Sequence, residues 1–191
     1  MRAAIAIFPG SNCDRDMAVA IKKITGKSPL KLWHKDTEAP NLDLIVIPGG
    51  FSFGDYLRCG ALAARSPIIK NIKNHISRGG ALLGVCNGFQ ILIEANILPG
   101  SLVRNKKLLF TCRETTLEVQ DSIQSPFLSS FNTGDCLNIP VAHNEGNYIA
   151  NNELLKELKN NGQIAFKYKK SLEIETDYNP NGSLNDIAGI L

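Results

Sequence analysis

The sequence predicts an α/β domain organised on a mostly parallel sheet, and three observations carry that prediction. Short apolar runs stop at glycine or proline: residues 2–8 before Pro9-Gly10, and residues 42–47 before Pro48-Gly49-Gly50. An amphipathic helical pattern lies between the first run and the second strand. A later run, Ala81-Leu82-Leu83-Gly84-Val85, ends at a cysteine set among glycines, and helical periodicity begins straight after it. Strand, helix, strand, strand at this spacing is the signature of βα units packed on a parallel sheet.

Residues 2–8 read as a buried first strand, with Pro9-Gly10-Ser11-Asn12 as the turn after it. Residues 14–25 place Met17, Val19, Ala20, Ile21 and Ile24 at apolar positions and turn Lys22 and Lys23 outward. The first turn is acidic, the last is basic, and Gly26 stops the helix. Residues 30–33 form a short second strand and residues 42–47 a third. The segment that follows, Pro48-Gly49-Gly50-Phe51-Ser52-Phe53-Gly54-Asp55-Tyr56-Leu57-Arg58-Cys59-Gly60, is glycine-rich and carries three aromatics. Ligands of open α/β sheets sit beyond the C-terminal ends of the strands, where this loop belongs. It fits neither phosphate-loop pattern. Three aromatics suit solvent poorly, so the loop is expected to cover something.

Residues 67–77 predict a helix with Ile68, Ile69, Ile72 and Ile76 on one face, and with His75 on the solvated side. Beyond the helix that follows the cysteine, the pattern becomes hairpin-rich. Residues 102–103, 108–112, 115–119 and 136–142 read as short strands, residues 153–158 as a polar helix, and residues 163–168 as another strand. Asn179-Pro180-Asn181-Gly182-Ser183 is a strong turn signal. The last residues, Asp186-Ile187-Ala188-Gly189-Ile190-Leu191, read as the start of a strand with no partner, which suggests a chain truncated at its C-terminus.

Composition bounds the function. A length of 191 residues fits a single domain, over residues 1–191, able to bury a core without staples. The net charge of +3 is small and its lysines and arginines are scattered, which argues against nucleic acid or a membrane surface as partner. The apolar N-terminus is too short for a signal segment, so the expected setting is cytoplasmic. Five cysteines, Cys13, Cys59, Cys86, Cys112 and Cys136, are an odd number at wide spacing with no C-x-x-C, which argues against a disulfide framework or structural zinc.

Only Cys86 has the setting of a nucleophile. Gly84-Val85-Cys86-Asn87-Gly88 is the thiol counterpart of the G-x-S-x-G elbow, in which a tight strand-to-helix turn exposes a reactive side chain. Free N–H groups and the positive end of the helix favour a thiolate there. A buried cysteine closing a parallel strand fits the pentapeptide equally well. An activated cysteine needs a base, commonly histidine. Of three histidines, His143 ends a strand and precedes Asn144-Glu145-Gly146, while His34 lies in a polar connection and His75 on a helix. His143 fits a proton-transfer role no better than that of a loop residue shaping a pocket.

Four segments together resemble one family. Gly84-Val85-Cys86-Asn87-Gly88-Phe89-Gln90 is similar to the nucleophile motif of class I (triad) glutamine amidotransferases. The loop over residues 48–58, the segment over residues 140–148 and the turn over residues 179–183 narrow the resemblance to the glutaminase subunits of phosphoribosylformylglycinamidine synthase, over the whole chain. The resemblance implies a flavodoxin-like three-layer α/β sandwich with a mostly parallel central sheet. It implies that Cys86 attacks the side-chain amide of L-glutamine, giving a thioester and ammonia, with the oxyanion held by N–H groups of Asn87 and of the turn at Gly50 and Phe51. Gln90 and His143 are implied to contact the bound glutamine. The family's catalytic histidine and glutamate come from a Pro-His-Pro-Glu-like segment with no match here, and are expected after Leu191. The implied partners are a PurL-like synthetase subunit and a PurS-like small subunit. The synthetase uses ATP and magnesium, and no cofactor or metal is expected in this chain. Two rival readings remain: an inactive scaffold subunit of the same complex, and a ThiJ/PfpI-type cysteine hydrolase. A flavin-binding module is disfavoured by the missing phosphate loop after the first strand.

Overall fold

The computed structural model describes residues 1–122, 125–170 and 178–191, and divides the chain into two compact units, Met1–Ile97 and Leu98–Leu191. In the first unit, strand β1 (Ala3–Ile7) leads to helix α1 (Asp14–Thr25), then β2 (Leu30–Trp33), β3 (Leu44–Ile47), α2 (Ile68–Ser77), β4 (Ala81–Gly84) and α3 (Asn87–Glu94). The four strands form one sheet in the order β2-β1-β3-β4, and every pairing is parallel. This is the α/β architecture with a parallel central sheet that the sequence predicts, in the strand order of the flavodoxin type.

The apolar runs are continuous because these strands are covered on both faces. Ala4, Ile5 and Ala6 of β1 are wholly inaccessible, and Ile45, Val46 and Ile47 of β3 nearly so. Helix α1 lays Ile21 against Ala3, Ile5 and Val46, with Met17 and Ala18 at the margin. Its end is set by Gly26 at φ 72°, whose N–H returns to the Lys22 carbonyl. A glycine takes this left-handed turn without a Cβ penalty.

Two histidines stand elsewhere than the sequence suggests. His75 is buried, not solvated. It falls on the same helical stripe as Ile68 and Ile72, and Gly80 leaves the room it occupies, since a Cβ at that glycine would lie 2.1 Å from the ring. Its Nε2 lies 2.9 Å from the Ala81 carbonyl. His34 is also buried, stacked edge-on against Trp33 and Phe53 with ring centroids 4.7 and 5.2 Å away.

The second unit is antiparallel. Strands β5 (Ser101–Val103) and β8 (Asn147–Ile149) pair with each other. Strands β6 (Thr111–Val119), β7 (Cys136–His143), β9 (Ile164–Tyr168) and β10 (Ile187–Ile190) form a second sheet, ordered β10-β9-β6-β7. Helix α4 (Asn152–Asn160) is capped by Asn151, whose side chain accepts the Leu154 N–H at 2.8 Å. Two expectations change here. The strand read over residues 108–112 and the strand after it are one strand, β6, and Leu108, Leu109 and Phe110 are exposed ahead of it. The terminal strand is paired: β10 runs antiparallel to β9, with Ile187 opposite Lys167 and Ile190 opposite Ile164.

Candidate active site

In a sheet ordered β2-β1-β3-β4 the connections diverge between β1 and β3, and ligands gather at the C-terminal strand ends beside that point. The loops after β1, β3 and β4 meet there. The Phe53 N–H donates to the Pro9 carbonyl at 2.6 Å, the Phe51 N–H to Gly10 at 3.3 Å, and the Cys13 N–H to Gly49 at 3.4 Å. The Val85 N–H donates to the Ile47 carbonyl at 3.0 Å and carries β3's alignment on to the elbow.

Cys86 stands at the turn between β4 and α3 with φ 54° and ψ −111°. A non-glycine residue in that region is strained, and such strain persists where the surroundings over-determine it. The flanking glycines show what does so. A Cβ on Gly88 would lie 2.1 Å from the Ile47 carbonyl oxygen, and one on Gly84 would lie 2.6 Å from Leu92 and 2.8 Å from the Gly88 carbonyl. Only two glycines let helix α3 sit this close to β3 and β4, and that approach forces the turn through Cys86.

The side chain of Cys86 is open to solvent, yet the protein around its sulfur desolvates it and pushes the thiol pKa up. The backbone N–H groups of Asn87 and Gly50 act in the opposite sense, favouring the thiolate, while Cys13 and the Asp55 carboxylate add to the upward push. The two N–H groups therefore converge on the sulfur from the elbow helix and from the loop after β3. Gly50 reaches this position at φ 138°, where a Cβ would lie 2.9 Å from the Asn12 nitrogen. Of the turn expected to give one donor, Gly50 turns its N–H to Cys86, whereas that of Phe51 is committed to Gly10.

The first unit thus brings Cys86, Gly50, Phe51, Asn87 and Gln90 together. Gln90 is buried and accepts from the Asn87 side chain at 2.9 Å. The loop is less of a cover than its aromatics suggest: Phe53 packs on His34, but Phe51 and Tyr56 are exposed. Arg58 ties the far side of the loop to Glu94 of α3 at 2.6 Å. The ring nitrogens of this unit's histidines have structural partners, Ser66 for His34 and the Ala81 carbonyl for His75.

His143 belongs to the second unit. Its ring lies against Gly146, where a Cβ would approach Cε1 to 2.6 Å, and its Nε2 is 3.5 Å from the Asn181 amide nitrogen. Burial lowers its pKa, so the ring is neutral at neutral pH. Sequence reasoning missed the residue that holds this segment, Asn105, which is 1% exposed. Asn105 donates to the His143 carbonyl at 2.9 Å and accepts the Gly146 N–H at 3.1 Å. A lone asparagine between strands carries no local pattern that announces such a role. Among the described residues, no group of three His, Cys, Asp or Glu side chains is placed to hold a metal ion, and no helix is long and apolar enough to cross a membrane.

The family model described as the CobB/CobQ-like glutamine amidotransferase domain matches residues 1–191. The chain belongs to that family. This amidotransferase chain is 51% identical over 191 residues to the phosphoribosylformylglycinamidine synthase subunit PurQ of Rhizobium meliloti, covering all of this chain and 82% of the relative. It is 53% identical over 192 residues to the subunit of the same name from Ruegeria pomeroyi, again over 82% of that protein. Among solved structures it is similar to PurLQS from Thermotoga maritima, with a TM-score of 0.84, 38% identity, and coverage of 100% of this chain and 81% of that one.

Proposed function

We propose that this chain is the glutaminase subunit of a phosphoribosylformylglycinamidine synthase, hydrolysing L-glutamine to glutamate and ammonia. The observation that carries the reading is Cys86, held at φ 54° on the elbow with the N–H groups of Gly50 and Asn87 directed to its sulfur. In this mechanism the thiolate attacks the side-chain amide carbon, and the carbonyl π electrons move to oxygen. Gly50 and Asn87 hold the resulting oxyanion, and one such preset donor is worth about 3 kcal/mol of barrier. Collapse of the intermediate expels the amine, which leaves as ammonia after taking a proton. Water then cleaves the thioester, returning the thiol and releasing glutamate. Burial of Gln90 beside Asn87 supports its place against the bound substrate.

The raised pKa of Cys86 means that its proton must be taken by a base. This reading requires a general base for that step, the role that a histidine paired with a glutamate fills in the family it resembles. The two compact units act as one amidotransferase domain, in keeping with a family match that runs unbroken across both. The ammonia passes to a PurL-like synthetase, assisted by a PurS-like small subunit, which spends ATP with magnesium to convert formylglycinamide ribonucleotide to the amidine. No cofactor is assigned to this chain. Five free cysteines accord with a cytoplasmic setting.

The test is covalent. A glutamine-analogue electrophile should label Cys86 of the full-length protein ahead of Cys112 and Cys136, which are also exposed, and glutamine should protect it. Equal labelling of the three would refute the reading.

A further inference from the structure

We propose that the side chain of Asn87, in addition to its main chain, is a positioning residue that clamps the loop after β3 to the elbow helix and so sets the oxyanion donors. The inference rests on the amidotransferase reading above. Asn87 is 1% exposed, and its carboxamide is used on both sides. Its Oδ1 accepts the N–H of buried Ser52 at 3.1 Å. Its Nδ2 donates to Gln90 Oε1 at 2.9 Å and to Asp55 Oδ1 at 3.4 Å. One short side chain therefore joins the loop at two points and the elbow helix at a third.

The loop needs such a clamp. Phe53, Gly54 and Asp55 are consecutive left-handed residues, with φ of 54°, 75° and 53°. Two of the three carry a Cβ, so this conformation costs free energy and is kept by its attachments. Gly50, whose N–H favours the Cys86 thiolate, lies two positions before Ser52 on the same loop. Main-chain bonds fix Phe51 and Phe53 to the loop after β1, but the carboxamide of Asn87 sets Ser52 and Asp55 against the elbow itself. A carboxamide suits the task because it offers one acceptor and two donor hydrogens on a short stem. Aspartate at position 87 keeps the acceptor, loses both donors when ionised, and places a negative charge beside Asp55.

The experiment uses the full-length protein assembled with its synthetase, comparing Asn87→Ala and Asn87→Asp with the native chain across pH, with glutamine or with ammonia as nitrogen donor. Asn87→Ala should lower the glutamine-dependent kcat by about 100-fold, the cost of misplacing a preset group by about an ångström. Its ammonia-dependent rate should equal the native one. Asn87→Asp should be as impaired at alkaline pH, yet recover relative to native as pH falls and the paired carboxylates take up a shared proton, which restores a donor. The alanine variant has no proton to gain, so its ratio to native should stay flat. Native glutamine-dependent rates in both variants would overturn the proposal. If the alanine variant fails to fold, an aspartate-to-native ratio that is flat with pH overturns it alone. Glutamine-dependent synthesis that survives Cys86→Ser would overturn the amidotransferase reading and this inference together, whereas dependence on Cys86 with indifferent Asn87 variants would remove only the inference.

Discussion

Glycine in place of the nucleophile should give a more stable protein than alanine in the same position. Cys86 adopts φ 54° and ψ −111°, and a residue with a Cβ held in such a region costs about 1–3 kcal/mol. Alanine keeps the Cβ and the strain, while glycine removes both. Against that gain stands the larger conformational entropy that glycine loses on folding, about 0.5–1 kcal/mol relative to alanine. The difference leaves Cys86→Gly more stable than Cys86→Ala by up to roughly 2.5 kcal/mol. At an unstrained site the order is reversed, so the sign of the difference is itself the test. Comparing alanine with glycine also cancels the lost sulfur, which both variants lack. Urea unfolding followed by far-UV circular dichroism measures the two midpoints, read at equal slopes so that the shift reports stability alone. A glycine variant less stable than the alanine variant would show that the elbow is unstrained, and that the close approach of α3 does not force the turn.

Gly88→Ala puts a Cβ 2.1 Å from the Ile47 carbonyl oxygen, so it should destabilise by about 1–3 kcal/mol in urea unfolding and lower the rate of Cys86 labelling. Desolvation raises the Cys86 pKa, so its alkylation by iodoacetamide in the unliganded chain should reach half its maximal rate at a higher pH than in a model thiol peptide. The folded state holds this proton more tightly than the unfolded state, so the thiol's contribution to stability should be present below its unfolded pKa and fall as pH rises through the folded one. Tyr148 is buried with its hydroxyl donating to the Pro99 carbonyl at 2.9 Å and its pKa pushed up to about 12. Tyr148→Phe leaves that carbonyl without its donor and should cost about 1–3 kcal/mol, measured by thermal unfolding.

The first unit was legible because its chemistry is local. Strands covered on both faces read as unbroken apolar runs; β3 stops directly before Pro48, β1 one residue short of Pro9, and β4 at Gly84. Helix α1 has the predicted bounds because an acidic first turn and Gly26 mark both ends. The second unit was harder. Arg113 and Glu114 interrupt the apolar pattern of β6: Glu114 lies on its exposed face, and Arg113 is half-buried on the face that carries Thr115, Leu117 and Val119, so one strand read as two. The pairing of β10 depends on β9, which no local signal at the chain's end reveals.

The elbow was visible in its glycines, whereas the backbone conformation of the oxyanion loop was not. Positive φ at Phe53 and Asp55 contradicts what their side chains prefer, and the tertiary bonds from Asn87 and Pro9 decide it. His75 was misplaced for a related reason. The void at Gly80 that admits its ring lies on the next strand connection, not on the helix. Residues whose position depends on an absent side chain elsewhere leave no trace in their own neighbourhood.

The central claim is that Cys86 releases ammonia for use by a second subunit. Cys86→Ser, assembled with the synthetase, tests it with two nitrogen donors in the same assay. Synthesis from glutamine should disappear while synthesis from added ammonia continues at the native rate. Loss of both activities, or retention of both, would contradict the assignment of Cys86 as the nucleophile.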